Sequence, residues 1–249
     1  MTDYESKEKD EMSESVRQEN KEKEVLRPTV SPAVINRLPR YFRYLRELIR
    51  MGKTRVSSLE LSKMMNVTAS QIRQDLNCFG GFGQQGYGYN VNYLYTKICE
   101  ILGVGIGFRA AVIGAGNLGS ALVRCPVFEQ RGVDVVAMFD IDKTVVGKKI
   151  GNVRVYHMNE LEKRIKSLSV DMVIFTMPKD CIDEIVARLQ KTSVYGIWNF
   201  TGTELESDSL VVENIHIGDS LMALCFEVAQ RMEQEKRKNG KDGKKPWEK

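Results

Sequence analysis

The spacing of apolar positions along the chain changes at Arg109. Before it, apolar side chains recur at intervals of three and four, which is typical of amphipathic helices, and a glycine-rich stretch follows them. After it, short β-branched apolar runs alternate with helical stretches, which is typical of a parallel sheet covered by helices. The sequence therefore predicts two domains of different architecture, a small helical one and an α/β one.

The first predicted helix begins at Ser31, an N-cap residue that Pro32 follows. Pro39 lacks a backbone donor and should kink or delay this helix near its start. The spacing of the apolar positions nevertheless predicts a core-packing helix, whose stripe consists of Val34, Leu38, Tyr41, Phe42, Leu45, Leu48 and Ile49.

Two short helices follow and predict a helix-turn-helix. The pattern Ser57-Ser58-Leu59-Glu60 is a capping box that opens a helix through Met65, and Thr68 opens the next one. On the second helix, Ile72 and Leu76 face inward at an interval of four residues. The polar side chains left toward solvent suit base edges and phosphates, and they are Ser70, Gln71, Arg73 and Gln74.

Residues 79–91 alternate glycine with aromatic side chains, as a two-stranded wing with a sharp tip requires. An ordinary hairpin has the same composition, but the position directly after a candidate recognition helix favours a wing that enters the minor groove. A helix at 93–102 and a linker at 103–107 follow. The first half of the chain is thus predicted to be a winged-helix DNA-binding domain.

The second half predicts a doubly wound parallel sheet. Apolar runs of strand length alternate with helical stretches near 118–125, 158–168 and 179–191. The runs are AAVIGAG (110–116), VDVVAMFD (133–140), VDMVIFT (170–176) and VYGIWNF (194–200).

Gly114, Gly116 and Gly119 lie where the first of these strands meets a helix. Glycines here permit a tight turn, and the free amides of a helix N-terminus bind a pyrophosphate. Asp140 ends the next strand, where a carboxylate accepts from ribose hydroxyls and repels a 2′-phosphate. The pattern favours NAD(H) over NADP(H). A Rossmann-like fold that holds coenzyme A, another nucleotide or nothing is the alternative.

Charge is segregated along the chain. Residues 1–24 carry five Lys and Arg against nine Asp and Glu, so residues 1–27 are predicted to be a disordered tail. Residues 31–78 carry nine Lys and Arg against three Asp and Glu. Such an excess is expected on a surface that meets phosphates, although a merely solvated face has the same composition. No long apolar run or hydrophobic leader is present, which predicts a cytoplasmic protein without a membrane span.

Few side chains suit catalysis or metal binding. His157 lies in a polar connection, and His216 in the apolar segment VVENIHI is interpreted as a satisfied interior or interface histidine. The pair Tyr93 and Lys97 mimics a dehydrogenase dyad but precedes the glycine motif. A regulator is therefore favoured over a dehydrogenase with an accessory basic domain. The cysteines are far apart, which predicts reduced, mostly buried thiols and no zinc or iron–sulfur site; they are Cys78, Cys99, Cys125, Cys181 and Cys225.

These motifs in this order, with MFDID, FTMP and WNFT further along, closely resemble the Rex family of redox-sensing transcriptional repressors from about Ser31 to Met232. The resemblance implies a homodimer that binds a pseudo-palindromic, AT-rich DNA operator when free or bound to NAD⁺ and releases it on binding NADH. In that family, the switch controls genes of fermentation and anaerobic respiration according to the NADH/NAD⁺ ratio.

The resemblance also assigns residues to both sites. Many relatives carry Lys or Arg at the positions of Gln74 and Gln85, so phosphate affinity and its salt dependence are expected to be lower here. The implied DNA contacts are Arg55, Ser57, Ser58, Ser70, Gln71, Arg73 and Gln74, with Gln84, Gln85 and Tyr87 at the wing tip. The implied cofactor contacts are Gly114, Ala115, Gly116, Asn117, Leu118, Gly119, Asp140, Thr176, Met177, Pro178, Asn199, Phe200 and Thr201.

The last predicted helix has an apolar stripe of Leu221, Cys225, Val228 and Met232. In isolation this stripe predicts a core-packing helix, whereas the resemblance implies a helix swapped between the subunits of a dimer. Some relatives use a tyrosine, an aspartate and an arginine in their switch contacts, at the positions of Cys125, His216 and Arg43 here. The predicted divisions are a tail at 1–27, a winged-helix domain at 28–103, a Rossmann domain at 108–217, a swapped helix at 218–238 and a basic tail at 239–249.

Overall fold

The chain divides into two compact units between Gly105 and Ile106, inside the predicted linker. The structure is a computed structural model, and the residues it describes are 31–78, 83–84 and 87–238. Three predictions lie outside the described residues: the tail at 1–27, part of the wing (79–82, 85 and 86) and the basic tail at 239–249.

The N-terminal unit begins with a helical segment that is divided in two. Helix α1 spans Pro32–Ile35 and helix α2 spans Leu38–Arg50, with Pro39 in the first turn of α2. The amides of a first turn have no partner within the helix, so a proline there costs no hydrogen bond. The delay predicted from Pro39 is confirmed, and the predicted apolar stripe contributes most of its members to the core of this unit.

A helix-turn-helix and a small sheet complete the N-terminal unit. The remaining elements are β1 (Arg55–Val56), α3 (Ser58–Met65), α4 (Ala69–Asn77), β2 (Gly83–Gln84), β3 (Gly88–Asn90) and α5 (Val91–Leu102). Strands β2 and β3 pair antiparallel as the predicted wing, and β1 joins β3 on its other side. The predicted winged helix-turn-helix is confirmed.

The C-terminal unit is built on one seven-stranded sheet. Its strands are β4 (Phe108–Ile113), β5 (Val133–Asp140), β6 (Lys149–Ile150), β7 (Val153–His157), β8 (Met172–Phe175), β9 (Gly196–Asn199) and β10 (Val211–Asn214). Their order is β10-β9-β8-β4-β5-β7-β6, and every neighbouring pair is parallel except β6 with β7. The order of the strands reverses between β4 and β8, which is where ligands bind in doubly wound folds.

Both faces of this sheet are buried. Ala111 and Ile113 of β4 contribute to the core on one face, and Ala110 and Val112 contribute to the core on the other. The helices are α6 (Asn117–Arg124), α7 (Leu161–Ser167), α8 (Ile182–Leu189) and α9 (Ile217–Lys238). Helices α7 and α8 pack on the first face and α6 on the second. The predicted doubly wound α/β sheet is confirmed.

Two details of the sheet differ from the prediction. Strand β4 ends at Ile113, so the motif glycines lie in the turn after the strand rather than within it. Strands β7 and β10 were not predicted, because each is only four or five residues long and includes polar residues. Both are needed to bring the parallel strands to the number typical of a dinucleotide-binding sheet.

Helix α9 leaves its apolar side chains uncovered by the rest of the described chain. Leu221, Met222, Phe226 and Met232 are between 52% and 73% exposed. The prediction of a helix packed into the core of its own chain is therefore wrong. Within the described ranges, α9 is the longest helix, and neither it nor any other combines the length and apolarity needed to cross a membrane.

Candidate cofactor site and nucleic-acid interface

The three glycines of the turn after β4 have different structural roles. Gly114 has φ +103°, and a Cβ there would lie 2.9 Å from backbone atoms of Thr176 and Met177. Gly119 lies in α6, where a Cβ would lie 2.1 Å from the carbonyl oxygen of Gly114. Both positions therefore exclude any larger residue.

Gly116 differs, because a Cβ there would meet no atom within 4 Å. This residue caps the N-terminus of α6, and no side chain occupies the capping position. The first amides of α6 therefore receive no hydrogen bond from the capping residue, and the helix dipole favours an anion at this end. The turn suits a pyrophosphate, and Asn117 and Leu118 supply amides beside it.

Asp140 ends β5, the neighbour of β4, and its carboxylate contacts the glycine turn. One oxygen, Oδ2, accepts from the backbone N–H of Ala115 at 2.6 Å, and Oδ1 accepts from the N–H of Asp142 at 2.9 Å. A carboxylate has about four acceptor positions, so it can still accept from ribose hydroxyls. Asp140 thus has a structural role in the turn in addition to its predicted role toward a cofactor.

The segment after β8 packs against the same turn. The hydroxyl of Thr176 donates toward the carbonyl oxygens of Ile113 and Gly114, at 3.1 and 2.9 Å. Met177 is half-buried against the core, while Pro178 is exposed. Thr176 therefore fixes the backbone of the turn, and Met177 and Pro178 provide apolar surface beside it.

The segment after β9 is shaped by a buried amide. Asn199 is 1% exposed, and its Oδ1 accepts from the backbone N–H and the hydroxyl of Thr201, at 3.1 and 2.8 Å. Its Nδ2 donates to the carbonyl of Thr203 at 2.7 Å and to Oδ1 of Asn214 at 2.8 Å. Asn199 thus supports the loop from inside, and the half-buried ring of Phe200 packs edge-on against Trp198.

All of these predicted cofactor residues lie at one edge of the sheet, at the carboxyl ends of the adjacent strands β9, β8, β4 and β5. His157 ends β7 beside Asp140, and its Nδ1 accepts from the N–H of Asn159. His216 is half-buried, with Nε2 2.8 Å from Glu204 Oε2, so it has a partner as predicted but does not lie in the interior of its own chain. The edge offers a binding surface for a dinucleotide.

Helix α4 presents most of the predicted recognition residues. Ser70, Arg73 and Gln74 are exposed, and Arg73 Nη1 donates to the hydroxyl of Ser58 at 3.3 Å. Ile72 and Leu76 are buried, as predicted. The prediction that Gln71 faces solvent is wrong, because its side chain is half-buried and its Nε2 donates to Asp75 Oδ1 at 2.8 Å.

The described part of the wing places a cation beside an exposed aromatic ring. Arg55 of β1 lies 5.9 Å from the centre of the Tyr87 ring and donates to the Tyr87 carbonyl at 3.3 Å. Tyr87 is 69% exposed. Gln84 lies in β2, whereas the prediction for Gln85 falls outside the described residues. An exposed arginine and tyrosine at the wing suit contact with a phosphate backbone.

Ser57 and Ser58 differ in what their hydroxyls do. Ser57 caps α3 by accepting from the N–H of Glu60, whose carboxylate accepts in return from the Ser57 N–H, so the predicted capping box is confirmed. Lys53 lies 2.5 Å from Glu60, and this contact together with the Ser57 amide lowers the pKa of Glu60 to about 2. Ser58, beside Arg73, is the serine better placed to reach a ligand.

One residue of α4 was missed by the sequence reasoning. Asp75 is completely buried and accepts hydrogen bonds from Arg37 and Tyr41 as well as Gln71. Its position three residues after Ile72 already placed it on the inward face of the helix. A carboxylate on that face requires a partner, and nearby basic helices supply one.

The expectation that most cysteines are buried is wrong. Cys78, Cys125, Cys181 and Cys225 are exposed, and Cys99 is half-buried with its pKa raised by burial. Apolar neighbours in the sequence misled the prediction, because these thiols lie at helix ends or on the uncovered helix α9. Within the described part of the chain, no group of three His, Cys, Asp or Glu could hold a metal ion.

Comparisons with known proteins agree with both halves. Residues 29–77 match a family model described as a putative DNA-binding protein N-terminus, and residues 108–203 match one described as a CoA binding domain. The chain is 44% identical over 82% of its length to the redox-sensing transcriptional repressor Rex of Caldicellulosiruptor saccharolyticus, and the match covers 93% of that protein.

Solved structures of one repressor, RSP, match as well. RSP in complex with β-NAD⁺ and operator DNA is 44% identical, with a TM-score of 0.77, over 86% of this chain and 99% of that one. RSP in complex with β-NADH is 41% identical, with a TM-score of 0.76, over 83% of this chain and 98% of that one.

A winged-helix unit followed by a Rossmann-type unit defines a transcription regulator that responds to a nucleotide. The relatives match over most of the chain at more than 40% sequence identity, which is enough to assign a family within this class. The chain belongs to the Rex family of redox-sensing transcriptional repressors, and it is a regulator rather than an enzyme.

Proposed function

We propose that this protein binds operator DNA through its N-terminal unit and releases it when NADH binds to the C-terminal unit. The observation that carries the proposal is the N-terminus of α6 at Gly116, which has no side-chain cap and space for a Cβ, next to the turn that the carboxylate of Asp140 contacts at Ala115. The relatives add direct support, since RSP has been crystallised with NAD⁺ and operator DNA together and also with NADH.

The DNA half of the proposal rests on charge and exposure. Arg73 and Gln74 project from α4 as donors and acceptors for base edges, with Ser70 beside them. Arg55 and Tyr87 stand at the wing, where a cation meets phosphates. The operator is an AT-rich inverted repeat, because a dimer places two such units on a two-fold symmetric site and a wing in the minor groove favours A·T pairs.

The cofactor half rests on which ring the site prefers. Met177, Pro178 and Phe200 provide apolar surface at the carboxyl ends of β8 and β9, whereas Asp140 and the α6 amides lie further along the edge. These side chains stabilise an uncharged dihydronicotinamide better than a cationic nicotinamide, because burial of an unpaired charge is costly. Only such a difference in affinity shifts the protein from its DNA-binding arrangement to the released one.

The assembly is a homodimer in which α9 is swapped. Uncovered apolar side chains along α9, such as Leu221 and Phe226, support a second copy as the covering partner. The protein acts in the cytoplasm, where the NADH/NAD⁺ ratio reports on metabolism, and its targets are genes of fermentation and anaerobic respiration.

The test is an electrophoretic mobility shift with a duplex carrying an AT-rich inverted repeat, titrated with NADH and, separately, NAD⁺. We expect NADH to release the duplex at concentrations at which NAD⁺ does not. Coupling of this kind is typically about 1–3 kcal/mol per site, which is roughly 5- to 150-fold in affinity. Equal retention of the duplex under saturating NADH and NAD⁺ would falsify the proposal.

A second candidate ligand is coenzyme A, which the description of the family model over residues 108–203 favours. The variant Asp140→Asn separates the two, because it removes the charge while its one amide oxygen can still accept from Ala115, although the contact with the N–H of Asp142 is lost. An NADH site should bind NADH more weakly in this variant. If coenzyme A binds the wild type more tightly than NADH, and the variant leaves that affinity unchanged, the C-terminal unit is a coenzyme A sensor.

A further inference from the structure

The segment after β9 is joined to the start of α9 by a chain of side-chain hydrogen bonds. Thr201 donates to Asn199, Asn199 donates to Asn214, and Asn214 Nδ2 donates to Glu204 Oε1 at 3.2 Å. Glu204 Oε2 lies 2.8 Å from Nε2 of His216, the residue immediately before α9. The contacts of Asn199 also shape the loop after β9, whereas the contacts of Glu204 with Asn214 and His216 have no role in the cofactor site or the DNA-binding surface.

The chain has a definite direction because Glu204 only accepts. An ionised carboxylate has no hydrogen to donate, so His216 must donate through Nε2 while Asn214 donates from the other side. Bonds to an ionised acceptor are stronger than neutral ones. Glu204 therefore clamps the end of β10 to the start of α9.

The inner part of this chain is rigid and the outer part is exposed. Asn199 is 1% exposed, and Asn214 pairs with it in register at the ends of β9 and β10. In contrast, the Glu204 side chain is 68% exposed and that of His216 is 33% exposed. The contact between Glu204 and His216 is therefore the part of the chain that can open without disturbing the core.

We infer that the Glu204–His216 contact is a latch that fixes the direction in which α9 leaves the sheet and passes changes at the loop after β9 on to that helix. Glu204 and His216 are positioning residues. The inference rests on the proposed function, because the loop after β9 is placed at the nicotinamide end of the cofactor site and α9 at the subunit interface. Loss of the latch leaves each ligand bound but weakens the effect of one on the other.

The test measures the ratio of NADH dissociation constants with and without the AT-rich duplex, using the full-length chain. We expect Glu204→Ala and His216→Ala each to reduce this ratio by about two- to fivefold, the range for an exposed ion pair. The double variant should lose no more than either single variant, because both changes remove one contact. Affinity for NADH alone should be unchanged.

Two further variants sharpen the result. Glu204→Gln can keep both neighbours, since a neutral His216 can accept from the new amide, and it should retain most of the coupling. Glu206→Ala removes a nearby exposed glutamate and should leave the ratio at the wild-type value. Wild-type coupling in Glu204→Ala, or additive losses in the double variant, would overturn the latch while leaving the proposed function intact. Absence of coupling in the wild type would overturn both.

Discussion

The guanidinium of Arg37 and the carboxylate of Asp75 form a two-pronged ion pair, with Nε and Nη2 each 2.7 Å from a carboxylate oxygen. Arg37 lies between α1 and α2, and Asp75 lies on α4, so the pair ties α4 to the first helices of its unit. Tyr41 donates to the same carboxylate at 2.9 Å, and burial together with this bond raises the pKa of Tyr41. The orientation of α4 therefore depends on a buried polar cluster.

Removing the carboxylate should destabilise the N-terminal unit strongly. Asp75→Ala leaves Arg37 and Tyr41 without their acceptor, and we expect the unit to lose about 3 kcal/mol. This value is at the low end for a broken buried pair, because the Arg37 side chain keeps 25% of its exposure. Hydrogen exchange of the α2 amides measures the stability of the N-terminal unit directly. Glu100→Ala, which breaks an exposed pair with Lys97, should leave the exchange of the same amides close to that of the wild type.

Acid should weaken the same cluster. Burial disfavours the ionised form of Asp75, but hydrogen bonds from Arg37, Gln71 and Tyr41 outweigh burial and hold its pKa below the ordinary 3.8. The stabilisation is therefore complete above that value and is lost as pH falls through the lower pKa of the folded state. Exchange of α2 amides in wild type and in Asp75→Asn should differ most near neutral pH and converge as pH falls below about 4. A constant difference across that range would contradict this assignment.

Arg73 should matter for DNA and not for the cofactor. Arg73→Ala removes an exposed guanidinium from α4 without disturbing the buried face of the helix. We expect operator affinity to fall by about 1–3 kcal/mol if Arg73 contacts a base, with NADH affinity unchanged. Mobility shifts at several salt concentrations and NADH titration measure the two quantities. Lys191→Ala, an exposed change in the other unit, is the matched control, and loss of both affinities in Arg73→Ala would indicate misfolding instead.

Gly116 and Gly119 should respond differently to the same substitution. Gly116→Ala adds a methyl group to open space, so the variant should melt near the wild-type temperature but bind NADH more weakly. Gly119→Ala drives a methyl group to within 2.1 Å of the Gly114 carbonyl, and we expect a loss of about 1–3 kcal/mol in stability. Thermal melts and NADH titrations of both variants decide the matter. Equal NADH affinity in Gly116→Ala and wild type would place the pyrophosphate elsewhere.

Local signals made much of this architecture predictable. The buried stripe of α2, the capping box at Ser57 and the strand-to-helix turn at Gly114 each depend on residues close together in sequence. Asp140 was predicted at the end of β5 because its chemistry and its distance from the glycines are both distinctive.

Contacts between residues far apart in sequence were harder to predict. Asp75 looks like one more polar residue of a recognition helix until Arg37, 38 positions earlier, is placed beside it. Asn199 was assigned to a ligand pocket, yet its amide faces inward because Asn214, 15 positions later, lies in register on the next strand. Such pairings depend on strand register, and the register of a strand as short as β10 cannot be predicted from its own sequence.

Helix α9 has a consequence for the life of the protein in the cell. A newly synthesised copy exposes an apolar stripe that includes Leu221, Leu224, Val228 and Met232, which is the type of surface that chaperones bind and proteases attack. Degradation of this protein should therefore slow as its concentration rises, because more copies are then paired and their apolar stripes are covered.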